Sequence, residues 1–194
     1  MIMDNFLSSC IKQFHYYKSL GDKTFAQLSE AQLFWQLNDS SNSIALIVKH
    51  LSGNMLSRWT DFLTTDGEKE NRNRDAEFEN SWTNSQEVIE NWNLGWACLF
   101  QAIEALEDKD LQQLIYIRNQ GHTVMEAILR QLAHYPYHIG QIVYIGKMCA
   151  DENWTSLSIP KGHSATYNQE KFKQEKHTQH YTEEFIKGNT PNTG

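Results

Sequence analysis

Apolar residues recur at helical spacing in four long stretches of the chain, and polar runs without a period separate them. From about Asp4 to Leu20, Phe6, Leu7, Cys10, Ile11, Phe14 and Tyr17 form one stripe. It predicts a first amphipathic helix that Gly21 breaks or bends. Ser29 to Trp35 reads as a short helical turn, and Asn38-Asp-Ser-Ser-Asn42 as a polar connector rich in capping residues. Ile44, Leu46, Ile47, Val48 and Leu51 open a second helix that runs to about Leu63. Thr64 to Trp82 is strongly polar and aperiodic, a connection of a length that is often functional or mobile. Thr83-Asn-Ser-Gln86 offers a capping box for a third helix, to about Leu106, with Val88, Trp92, Trp96, Leu99 and Ile103 at core spacing. Leu111 to Arg118 fits either a strand-like connector or a helical turn. Thr123 followed by Glu126 is another capping box, and the helix it opens, to Cys149, is the most apolar of the chain. Trp154 to Asn168 reads as an apolar-anchored loop with a Pro160-Lys-Gly turn, packing back on the helices. Gln169 to Gly194 is mostly polar, and is expected to be disordered or a lone surface helix around Glu183 to Lys187. The pattern predicts an all-α bundle domain over 1–168, followed by a tail over 169–194.

Composition narrows the class without naming an activity. The net charge is −7, with no basic cluster in the sequence, so no nucleic-acid partner is expected. Cys10, Cys98 and Cys149 are odd in number, widely spaced and set in apolar helical patterns, so they read as reduced core residues. No apolar stretch approaches the roughly 20 residues that span a bilayer, and no membrane partner is expected. Met1-Ile-Met-Asp-Asn-Phe6 lacks the basic start and apolar run of a secretion signal, which makes the cytoplasm the expected location.

The candidate chemistry lies on the second and fourth helices. His134 and His138 are four residues apart, so they project from one helical face about 6 Å apart along the axis. Arg130 and Gln141 share that face. On the second helix His50, Asn54, Ser57 and Asp61 form a similar polar line. Buried polar stripes are costly unless their groups are paired or bind something. Two readings follow from the spacing: core histidines bonded to backbone, or ligands of one metal ion. Three histidines without a carboxylate would leave coordination positions for water or substrate. The metalloprotease pattern needs Glu directly after the first His, and Tyr135 stands there. Asn54, Arg130 and Gln141 are candidates for orienting the imidazoles. His122 reads as a cap or surface residue, His163 as a gate or a solvated loop residue, and His177 and His180 as parts of the tail.

These stretches resemble the DinB/YfiT-like superfamily of metal-dependent proteins, in a branch of unknown function. The matching residues are Asn42 to Trp59 around His50, Asp66-Gly-Glu-Lys, Asn73-Arg-Asp, Arg130-Gln-Leu-Ala-His134-Tyr-Pro-Tyr-His138-Ile-Gly-Gln-Ile-Val-Tyr and Ser156-Leu-Ser-Ile-Pro-Lys-Gly. The resemblance covers roughly residues 3 to 168. It implies a four-helix bundle of up-down-down-up connectivity with long loops. It also implies a metal site of His50, His134 and His138, usually holding nickel or zinc with water completing the coordination. Related branches include transferases that use low-molecular-weight thiols such as bacillithiol, and many members are homodimers. Pro136 departs from the usual pattern, since proline removes a backbone donor and can kink the helix between two ligands.

The expected function is therefore a divalent-metal protein that activates a thiol or water for transfer to a small electrophilic substrate, with Arg130 or Lys161 steering an anionic thiol. The rival expectations are a metal-stabilised, non-catalytic dimer acting as a stress-linked binding module, and a metal-dependent hydrolase.

Overall fold

The computed structural model describes residues 5–186. The expected helix start at Asp4 and the polar end from Lys187 to Gly194 lie outside the described residues. The described chain is mostly helical with one small two-stranded sheet. In order it forms α1 (Phe6–Phe25), α2 (Glu30–Leu33), α3 (Ile44–Trp59), α4 (Ser85–Glu104), β1 (Leu114–Ile117), β2 (Gln120–Thr123), α5 (Val124–Ala150), α6 (Ser164–Phe172) and α7 (Thr182–Ile186). No helix among the described residues is long and apolar enough to cross a membrane.

Local chemistry sets the ends of the long helices. The side chains of Asn5, Ser43, Asn84 and Thr123 each accept a hydrogen bond from a first-turn amide of α1, α3, α4 and α5. The box predicted at Thr83–Gln86 is shifted by one residue: Asn84 is the cap, and Glu87 reaches back to the Thr83 amide. The box at Thr123 and Glu126 forms as expected, with both reciprocal bonds in place.

The four long helices pack in pairs, α1 on α5 and α3 on α4, with further contacts between α3 and α5 and between α1 and α4. Phe14, Trp96 and Tyr135 meet at the centre with ring centroids 6.0 to 6.4 Å apart. All three are fully buried, and each side chain of this size contributes about 1.5–3 kcal/mol or more by leaving water. Gly21 does not break α1, which continues to Phe25. A Cβ at Gly21 would lie 2.4 Å from the Trp92 ring, so its role is close helix approach, not termination.

The ambiguous segment before α5 becomes a 3-10 turn at Asp108–Gln112 and then the β1–β2 hairpin. Arg118 and Asn119 form its two-residue turn, both with positive φ (56° and 59°), the backbone of a type I′ turn. Asp66 holds this turn by accepting from both amides. The aperiodic stretch from Thr64 to Trp82 is thus tied down at one end by the hairpin. At the other end Lys49 donates to the carbonyls of Ala76 and Glu79 and to the Ser81 hydroxyl.

The tail is only partly as expected. A short helix does form at Thr182–Ile186, but it docks on α1: Lys12 pairs with Glu183, Lys23 donates to the Phe185 carbonyl, and His180 contacts Ser9.

Candidate metal centre

The site is built where α3 and α5 face each other. The rings of His50, His134 and His138 converge, with one nitrogen of each lying within 4.8 Å of the others. The Nε2 atoms of His134 and His138 are 3.1 Å apart. α5 is continuous through Pro136, and the proline does not part the two rings.

The outward ring nitrogens fix the chemistry of the inward ones. His50 Nδ1 lies 2.9 Å from Glu77 Oε2, His134 Nδ1 3.2 Å from Gln131 Oε1, and His138 Nδ1 2.8 Å from Gln141 Oε1. Each partner offers an oxygen acceptor, which favours the tautomer that carries the proton on Nδ1 and leaves the Nε2 lone pair for a ligand. Three lone pairs directed at one point repel unless a cation lies among them. The described site thus has the donors, tautomers and spacing to hold a metal ion, with each ligand oriented by a second hydrogen bond.

Glu77 is the residue that sequence reading missed. It sits in a 3-10 turn, Asp75–Phe78, inside the aperiodic polar stretch, and it is buried. Arg72 donates to both its oxygens, at 2.7 and 2.9 Å. Burial alone would push Glu77 up, but the hydrogen bonds from His50 and Arg72 outweigh it and hold the carboxyl below its usual range. Gly53 makes the approach possible, since a Cβ there would lie 2.4 Å from Glu77 Oε1. Gln131 was also missed, although its place three residues before His134 mirrors that of Gln141 three after His138.

The other candidates fall in different places. Asn54 accepts from the Tyr135 hydroxyl, which in turn accepts from Trp59 Nε1, so Asn54 locks α3 to α5 beside the ligands. Ser57 bonds the Gly67 carbonyl and the Lys69 amide, while Asp61 is exposed beyond the end of α3. Arg130 is exposed, 3.4 Å from His122, and lines a cavity of about 270 Å³ that His50 and His134 also line. Lys161 and His163 are exposed after α5, in the segment whose Thr155 bonds Gln27 in the turn after α1. The structure does not bring Lys161 into that cavity.

Burial, followed by the charges of His138, His50, Arg58 and Arg130, pushes His134 down from its ordinary 6.5 to about 4. Burial also lowers His138. Between pH 6.5 and 4 the unfolded chain therefore binds more protons than the folded one, so stability rises with pH across that window. The contribution is complete above 6.5 and is lost as the pH falls towards 4. The metal-free protein should show a melting temperature that drops through this window, and His134→Gln should flatten the drop. An equal pH dependence in the variant would remove His134 as its cause.

No curated protein and no solved structure matches this chain. A family described as protein of unknown function (DUF1572) matches residues 1–163, which include all three histidines, both glutamines and Glu77. With most of its length matched, the chain belongs to the DUF1572 family, which is DinB-like.

Proposed function

We propose that the protein is a nickel- or zinc-dependent thiol transferase acting on small electrophiles, with the four long helices arranged as a DinB-like up-down-down-up bundle. The observation that carries the metal reading is the convergence of three imidazoles, one nitrogen of each within 4.8 Å of the others, with the Nδ1 atoms set against side-chain oxygens of Glu77, Gln131 and Gln141. Such an ion, when bound, lowers the pKa of a coordinated thiol and supplies a nucleophile at neutral pH.

The chain's own residues do the remaining work. Glu77, Gln131 and Gln141 hold the imidazoles in the ligating tautomer. The Tyr135–Asn54 bond fixes the rotation of α5 against α3. The cavity lined by His50 and His134 gives a small molecule access to the ligands, as an enzyme needs and a closed structural site does not. In the transfer, the thiolate sulfur bonds to the electrophilic carbon, the leaving group departs with its electron pair, and the thiol proton goes to water.

The test is thiol consumption by protein loaded with nickel or zinc, compared with metal-free protein and His134→Ala. Bacillithiol, glutathione and coenzyme A would be offered with 1-chloro-2,4-dinitrobenzene. Several kcal/mol of charge stabilisation by an ion corresponds to a metal-dependent gain of about a hundredfold or more over the metal-free rate. Full metal loading with no gain for any thiol would leave the non-catalytic, metal-stabilised binding protein as the reading.

A further inference from the structure

The chain contains five arginines, Arg58, Arg72, Arg74, Arg118 and Arg130. All five line the cavity of about 270 Å³ that borders His50 and His134. They arrive from separate parts of the fold: Arg58 from the end of α3, Arg72 and Arg74 from the connection after it, Arg118 from the hairpin turn, and Arg130 from α5. In a protein of net charge −7 this is a local reversal of sign.

Ion pairing does not account for the cluster. Glu68 serves Arg58, Arg72 and Arg118, at 3.7, 3.3 and 3.2 Å, and Glu77 serves Arg72 and His50. Among the described residues Arg74 and Arg130 have no carboxylate partner. Arg74 lies over the Phe78 ring and Arg130 contacts His122. Arg58 is 4% exposed, and its Nε has no hydrogen-bond partner. Arg118 is held with positive φ, uncommon outside glycine, by the Asp66 carboxylate. Gathering like charges is unfavourable unless something neutralises them, and a guanidinium fork matches the oxygens of carboxylate or phosphate.

We propose that this cavity is an oxyanion subsite, and that the small molecule brought to the histidines carries carboxylate or phosphate groups seated on Arg58, Arg74 and Arg130. This deepens the transferase reading by naming the ligand's chemistry, and it rests on that reading only for the ligand's reactive end. The seat itself stands on the arginines.

The test is calorimetric titration of citrate, succinate and inorganic phosphate into the full chain in low-salt buffer, with and without added zinc. The double variant Arg74→Gln/Arg130→Gln removes two exposed charges without a carboxylate partner, and Lys147→Gln, which removes one exposed charge elsewhere on the surface, is the control. The wild type should bind at least one probe, and the double variant should bind it about tenfold or more weakly, the loss of one charge-assisted contact. Lys147→Gln should be unchanged. The double variant should also melt no lower than wild type without ligand, because it relieves repulsion. Preference for citrate and succinate over phosphate, or the reverse, identifies the anionic group. No binding of any probe, or equal binding by the double variant, would overturn the proposal. Metal content measured on the same samples keeps the two readings apart: anion binding by a chain that takes up no zinc would remove only the metal, and zinc uptake without anion binding would remove only the subsite.

Discussion

Wild-type protein purified without chelator is expected to carry about one divalent ion per chain, the stoichiometry of a single three-histidine site, and His134→Ala to carry none. His134 supplies the Nε2 that lies 3.1 Å from that of His138, so its removal leaves two donors and an open side. The melting temperature separates this from a loss of packing. An ion present at about 1,000 times its dissociation constant adds about 4 kcal/mol to stability. For a chain of this length that corresponds to about 8–16 °C. Chelation should lower the wild-type melt by that amount and leave His134→Ala where it was. The metal-free forms of the two proteins should melt close together, since the half-buried ring of His134 adds little to the core. A wild type that takes up neither nickel nor zinc would return the three histidines to the status of paired core residues.

The second large effect belongs to Glu77. Removing its side chain takes away the two hydrogen bonds that the Arg72 guanidinium, 5% exposed, donates to it, and leaves Arg72 only its longer contacts to Glu68 at 3.3 Å. Breaking one partner out of a buried pair costs about 3–5 kcal/mol, so Glu77→Ala should melt far below wild type. Glu77→Gln keeps the shape and is the more telling variant. An amide can donate to His50 Nδ1, which would move the ring proton to Nε2 and turn it towards the other two ligands. Loss of such a tether typically weakens metal binding about 10–100-fold. Zinc affinity measured by competition with a chromophoric chelator would read this in folded protein. An affinity equal to wild type would show that Glu77 serves the fold alone.

What the sequence disclosed and what it hid divide along a physical line. Residues on one helix are related by its period, so the convergence of His134 and His138, the matching line of His50, Asn54 and Ser57, and the Thr123 cap could be read directly. Glu77 could not, because its partners His50 and Arg72 reach it through a turn with no period, and a glutamate in a polar run carries no mark of burial. The same reason hid the arginine cavity, whose members come from four places that only the folded chain brings together. Lys161 lies within the resemblance's last motif, but it is carried by the segment beyond the end of α5 and does not line the cavity that His50 and His134 border. The hairpin was hidden by its turn, since Arg118 and Asn119 lack the glycine that usually announces positive φ.

Gly53 gives the site a signature that no ligand residue carries. Because the Glu77 carboxylate occupies the space a Cβ would need, any side chain at position 53 competes directly with the anchoring of His50. Chains that keep the three histidines but place a larger residue one turn after the first of them have given up this acid tether, whatever else they retain. Sorting relatives by that one vacancy, and then by the acid that fills it, would divide them by how firmly the first ligand is held before any metal arrives.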